Sequence, residues 1–174
     1  TVSPNGKICV SVYVEPSPNN DYGQAYFNVN YLDGKSKKQL FSKAGLGLCT
    51  EQQRFANNLR LVSVSAPESI SESYEMITGK RKFCTNHVVE RIANFENGNK
   101  RSLKIAFRAY NDGVTFRYLL DEAAADTAFV TTELTSYLIP DGTNRWMQEY
   151  AIDYEGFFPL ATNGESKGKR NPQL

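Results

Sequence analysis

Apolar and polar residues alternate along most of the chain, with the period of two that a half-buried strand produces and not the 3.6 of an amphipathic helix. Ile8, Val10, Val12 and Val14 fall on one side, with Lys7, Cys9, Ser11 and Tyr13 on the other. Ala25, Phe27, Val29 and Tyr31 repeat the pattern ahead of a turn at Asp33-Gly34-Lys35. Further strands are predicted over 59–64, 72–78 and 86–95, where alternation is less clean. Turn formers stand between them: Pro16 to Asn20, Pro67, Thr78-Gly79-Lys80 and Asn97-Gly98-Asn99. Strands and turns in regular succession, without a convincing amphipathic helix, predict an all-β antiparallel β-sandwich in a single domain, 1–174.

A hairpin is predicted most sharply around Asn111-Asp112-Gly113. Leu103, Ile105, Phe107 and Ala109 alternate before it, and Val114, Phe116, Tyr118 and Leu120 after it. With Asp112-Gly113 as the loop of a type I′ turn, Ala109 pairs with Phe116, Phe107 with Tyr118 and Ile105 with Leu120, so the apolar residues share one face. The same register sets Lys104 opposite Asp121. It also sets Arg108 directly opposite Arg117, a like-charge pair that destabilises unless acids share it. Either both arginines are solvated, or another layer covers this face and supplies carboxylates. The second case makes Arg108 and Arg117 candidate interface residues.

Beyond Ile139-Pro140-Asp141-Gly142 the alternation stops. Residues 146–158 are dense in aromatics and dotted with acids, and 161–174 turn polar and rich in Gly and Lys, a pattern expected of a loop crossing a surface. Trp146, Tyr150, Tyr154, Phe157 and Phe158 can pack an interior or a domain contact, or stack on sugar rings.

Composition removes several function classes. With 20 Lys+Arg against 19 Asp+Glu, no net field draws the chain to nucleic acid or an anionic membrane. Basic clusters at Lys35 to Lys38, Lys80 to Lys82 and Lys167 to Arg170 each adjoin Gly, Ser or Thr and read as solvated turns. No run approaches the roughly 18–20 apolar residues of a membrane span, and Thr1 to Lys7 carry no signal-peptide pattern. One histidine, His87, and three widely spaced cysteines, Cys9, Cys49 and Cys84, leave little material for zinc or for a nucleophile-histidine pair; at most one cysteine pair can form, and buried free thiols are expected over it. Asp153 and Glu155, if extended, share a face about 6.8 Å apart, a spacing compatible with a glycosidase pair but common to any acidic alternation. Calcium wants six to eight oxygens, and no acid-rich loop here supplies them alone.

Ser3-Pro4-Asn5-Gly6-Lys7 opens a pattern that continues through Tyr31-Leu32-Asp33-Gly34-Lys35 and Gly45-Leu46-Gly47-Leu48. It is most specific over Phe107-Arg108-Ala109-Tyr110-Asn111-Asp112-Gly113-Val114-Thr115-Phe116-Arg117-Tyr118, and Glu133 and Tyr154-Glu155 also fit it. On these residues the chain resembles the N-terminal domain of glycoside hydrolase family 97. The resemblance implies a galactose-mutarotase-like β-supersandwich, of which this chain is an incomplete piece with Leu174 falling inside it. A catalytic (β/α)8 barrel and a C-terminal β domain would follow in a secreted or periplasmic parent, an α-glucosidase or α-galactosidase acting on oligosaccharides. The catalytic carboxylates would lie on the barrel, so none is expected here. Active-site calcium would take one glutamate from the N-terminal domain, matched by Glu155, with Trp146 and Tyr154 beside it as substrate or interface residues. The chain departs from the family pattern in the loosely matched run from Trp146 to Asp153, and in carrying Phe158 where a tyrosine is expected. The alternative is a stand-alone sandwich that binds glycans or a partner protein on an aromatic face.

Overall fold

The computed structural model describes residues 1–18, 20–120, 128–140, 142–148 and 155–161, and among these it contains strands and no helix. The strands are β1 (Ile8–Pro16), β2 (Gly23–Asp33), β3 (Ser36–Leu46), β4 (Leu48–Thr50), β5 (Arg54–Phe55), β6 (Leu59–Val64) and β7 (Glu68–Glu75). They continue as β8 (Phe83–Asn97), β9 (Ser102–Tyr110), β10 (Val114–Leu120), β11 (Val130–Glu133), β12 (Ser136–Tyr137), β13 (Arg145–Trp146) and β14 (Leu160–Ala161). Residues 1–137 form one compact unit and 138–174 a second.

In the first unit a curled antiparallel sheet runs in the order β10-β9-β8-β6-β2-β3-β12, with β1 added on β2 and β7 on β8. The alternating residues explain the curl. Val10 lies opposite Val29, Val12 opposite Phe27 and Val14 opposite Ala25, while Phe95 lies opposite Leu103 and Ala93 opposite Ile105. All of these face inward, so the sheet closes on its own apolar surface and brings β1 against β9. Phe27 meets Phe107 and Phe116 at ring separations of 5.7 and 5.4 Å. The all-β, sandwich-like expectation therefore holds, as an incomplete half-barrel. A smaller sheet, β11-β4-β5, adds Phe55 to the same core.

Two turns behave as their residues predict. Asp33 pairs with Ser36, leaving Gly34-Lys35 as a two-residue loop, and Gly34 takes the positive φ of 57° such a loop needs at its first position. At the Asn97 turn, the side chain of fully buried Asn97 accepts from the amides of Asn99 and Arg101 and donates to Gln53 and to the Arg54 carbonyl. Every polar atom of that amide is satisfied, which removes the cost of burying it. Of the basic clusters, Lys37 and Lys38 lie in β3 and not in a turn, opposite Leu32 and Tyr31.

The 103–120 hairpin forms with the expected faces but another register. Ala109 pairs with Val114, Phe107 with Phe116 and Ile105 with Tyr118. The Tyr110 amide donates to the Gly113 carbonyl at 2.8 Å, so Asn111-Asp112 make the loop. None of Asn111, Asp112 and Gly113 has a positive φ, which rules out the type I′ turn. A shift of two residues preserves which side chains point inward, so the hydrophobic pattern could not distinguish the two registers. A Cβ on Gly113 would meet nothing within 4 Å. Gly113→Val should accordingly change the unfolding free energy by less than about 1 kcal/mol in a denaturant titration, where a type I′ position would lose more.

At the end of the sheet where β2 begins, Glu96 gathers three partners: Tyr22 at 2.7 Å, Lys100 at 2.9 Å and Arg60 at 3.1 Å. The hydrogen bond from Lys100, then that from Tyr22, holds the Glu96 carboxyl below its ordinary pKa. A carboxylate depressed in the folded state stabilises fully above its unfolded pKa and loses that contribution as pH falls through the folded value. Glu96→Gln should therefore flatten the acid limb of a melting-temperature profile below about pH 4.3. An unaltered limb would show that the network adds nothing.

Candidate functional surface

The second unit carries Trp146 and Glu155. Its short ladder pairs Arg145 with Ala161 and Trp146 with Leu160, and the Met147 amide donates to the Pro159 carbonyl at 3.2 Å. Directly opposed residues share a face, so Trp146 and Leu160 lie side by side, 66% and 49% exposed. Farther along, Gly156 sits so close to Gln148 that an added Cβ would approach Nε2 to 2.9 Å. Glu155, exposed, is the residue just before that contact. Phe157 and Phe158 are exposed as well. Trp146, Phe157, Phe158 and Leu160 thus leave apolar side chains exposed, with a two-residue ladder where a loop was expected. Tyr154, and with it Glu149, Tyr150 and Asp153, lies outside the described residues.

Arg108 and Arg117 do not oppose each other. The observed register sets Arg108 against Thr115 and Arg117 against Ala106. Arg108 instead faces Glu90 on β8 and bonds its carboxylate at 2.6 Å, with Glu72 of β7 at 3.3 Å. Hydrogen bonding to Glu90, then to Tyr110, raises the guanidinium pKa further, with a smaller electrostatic contribution from Glu72. The carboxylates expected from a covering layer thus come from neighbouring strands of the same sheet. Arg117 is exposed and lines, with Arg108, Glu90, Tyr110 and Phe116, a shallow cavity of ≈ 250 Å³. Asp121 lies outside the described residues.

One linked set of side chains escaped the sequence reading. Tyr118 Oη accepts from the Gly47 amide at 2.9 Å and meets Thr135 Oγ1 at 2.9 Å. Thr135 spends its proton on Glu133 at 2.7 Å, so Tyr118 must be the donor to Thr135. Burial pushes the Tyr118 phenol above its ordinary pKa, which keeps that proton in place. Tyr118 and Glu133 both stood in the family-like pattern. Their link through Thr135 depends on β11 returning to β4, which no local spacing encodes.

Among the described residues no group of three or more His, Cys, Asp or Glu converges, and Glu155 offers at most two of the six to eight oxygens calcium takes. The described residues do not fit calcium on their own. The three cysteines are free; only Cys49 is buried, and Cys9 and Cys84 are half-buried. Among the described residues no helix is long and apolar enough to cross a membrane.

Comparison with known proteins gives this geometry a setting. The model of the family described as Glycosyl-hydrolase 97 N-terminal matches residues 1–171. A probable retaining alpha-galactosidase of Streptomyces bingchenggensis (strain BCW-1) is 28% identical over 120 residues, covering 67% of this chain and 18% of the relative. A solved beta-arabinopyranosidase superposes with a TM-score of 0.71 at 26% identity, covering 87% of this chain and 23% of that one. A glycoside hydrolase family 97 enzyme from Pseudoalteromonas sp. strain K8, solved with acarbose, shares the fold with a TM-score of 0.72 at 19% identity, over 92% of this chain and 24% of the enzyme. The chain therefore spans about a quarter or less of the relatives it matches, and it belongs to the N-terminal domain family of glycoside hydrolase family 97.

Proposed function

We propose that this domain is the non-catalytic front part of an exported α-glucosidase or α-galactosidase. In this reading it packs against a catalytic (β/α)8 barrel of the same chain that acts on oligosaccharides. Glu155 lends one carboxylate to a calcium ion whose other ligands come from that barrel. The observation that carries the reading is the match to the N-terminal family over residues 1–171, in a chain that spans only 18% of its curated relative. The exposed aromatics Trp146, Phe157 and Phe158, in the same short unit as Glu155, suit a surface completed from elsewhere.

The tests follow from the division of labour. The isolated chain should release no nitrophenol from α-glucoside or α-galactoside substrates. Calorimetry should find calcium bound no better by this chain than by an ordinary surface carboxylate, and well by the parent. In the parent, Glu155→Gln keeps the side chain's shape and removes a negative charge beside the metal, so activity should fall by about tenfold or more, with partial recovery in excess calcium. A parent indifferent to the substitution would remove the calcium role; fractionation of the source cells tests export. The same exposed aromatics favour a second reading, a stand-alone glycan binder, which sugar binding by the isolated chain on a glycan array would support.

A further inference from the structure

Strand β8 is shared unequally. On one edge β9 pairs with it only from Val88 onward. On the other, β6 holds its last residues, and β7 follows the Pro67 break to pair with Phe83 through Glu90. The five pairs from Ser71↔His87 to Glu75↔Phe83 therefore form a two-stranded arm beyond the third strand. Side-chain bonds run across it, Ser71 to His87 at 2.9 Å and Ser73 to Thr85 at 3.2 Å, and the Met76 amide donates to the Lys82 carbonyl. A two-stranded ribbon gains little from burial in water. This one nevertheless carries apolar residues at its end: Ile77 is fully exposed, Phe83 74%, Tyr74 47% and Met76 44%. Beside them stand Lys80, Arg81 and Lys82, with no acid between Met76 and Phe83. Lys82 is held by Glu75 at 3.0 Å; Lys80 and Arg81 have no acidic partner among the described residues.

We propose that this arm is a docking element whose tip, Ile77 and Phe83 flanked by Lys80 and Arg81, seats in an apolar pocket with an acidic rim on the larger part of the parent protein. The proposal rests on the function proposed above for the existence of that larger part. Charge selects the partner's chemistry, because Lys80 and Arg81, unlike Lys82, which Glu75 already holds, need carboxylates when water is excluded around the exposed apolar side chains. The same reasoning disfavours the other occupants. Glu68, Glu72 and Glu75 line β7 and would be repelled by an anionic lipid surface. Those glutamates, with Pro67 at the start of the strand, also guard its open edge against pairing with a second copy. The length of the relatives fits a partner in the same polypeptide, since the module makes up 23–24% of the solved chains.

Hydrogen exchange on the parent and on this chain alone tests the proposal. Amides from Tyr74 to Phe83 should exchange about tenfold more slowly in the parent, as expected for a docked anchor. Ile77→Asp, and separately Lys80→Glu with Arg81→Glu, should abolish that slowing in the parent while leaving the melting temperature of the isolated chain unchanged. Equal rates in both forms would overturn the proposal. So would slowing that rises with the concentration of the isolated chain, which marks a second copy, or slowing that needs phosphatidylserine vesicles, which marks a lipid surface. A parent whose larger part is no glycosidase, yet protects the arm, would defeat the functional reading and leave the docking intact.

Discussion

Phe95→Ala should lower the unfolding free energy by about 3–5 kcal/mol, the cost usual for deleting a buried ring and leaving a cavity. Phe95 is 1% exposed and sits mid-sheet on β8, opposite Leu61 of β6 on one side and Leu103 of β9 on the other. Both neighbours are tied by ladder hydrogen bonds and cannot move in to fill the space. Domains of this size have only about 5–15 kcal/mol to lose, so the variant should melt near the limit of folding. Urea titration reads the effect directly. A loss below about 1.5 kcal/mol would mean that the half-barrel collapses around the gap. Phe116→Ala is a useful contrast. That ring is only partly buried and lines an open apolar cavity of ≈ 430 Å³ with Phe27, Phe41 and Tyr137, so less contact is forfeited.

Gly23→Ala is the second large effect, of opposite kind. Gly23 pairs with Pro16 where the β1–β2 hairpin closes. A Cβ there would run into the Glu15 carbonyl oxygen and lie 2.7 Å from Pro16 Cα. These are backbone atoms, which cannot rotate aside, so the hairpin end must open. The loss should reach about 3 kcal/mol or more, at the upper end of overpacking substitutions. It should appear as faster hydrogen exchange at the Gln24 and Glu15 end of β1 and β2. A stable Gly23→Ala variant with an intact hairpin would show that this turn is placed wrongly.

The contrast between Gly23 and Gly113 shows what was legible in the sequence. Which face each residue of β1, β2, β9 and β10 presents could be read directly, because alternation is a local signal that burial on one side enforces. Which residue lies opposite which could not, since moving a strand by two positions keeps every face. The type I′ reading therefore puts Gly113 at a positive φ it does not have, and Gly23, which lies where two backbones nearly touch, gives no signal in the pattern. The same limit governs the charged residues. Glu90 and Glu72 reach Arg108 only through the registers of β7, β8 and β9 together, and neither spacing is periodic. Trp146 and Glu155 were legible as residue types in an aromatic, acidic stretch. The ladder that sets Trp146 beside Leu160 is two residues long and leaves no pattern to detect.

The returning strands also set an order of assembly. Strands β1, β2 and β3 follow one another as hairpins, and so do β7 through β10; such neighbours close short loops. Strands β11 and β12 instead seek β4 and β3, and the bond from Thr131 to the Cys49 carbonyl spans 82 positions. Closing so long a loop is rewarded only after both meanders already exist to receive the returning chain. The two meanders should therefore form early, as local units, and in pulsed hydrogen exchange the amides of β11 and β12 should gain protection last. During synthesis the first meander can be complete long before Glu133 and Thr135 emerge. The hydroxyl of Tyr118 then acquires its final partner only when the last stitch is made.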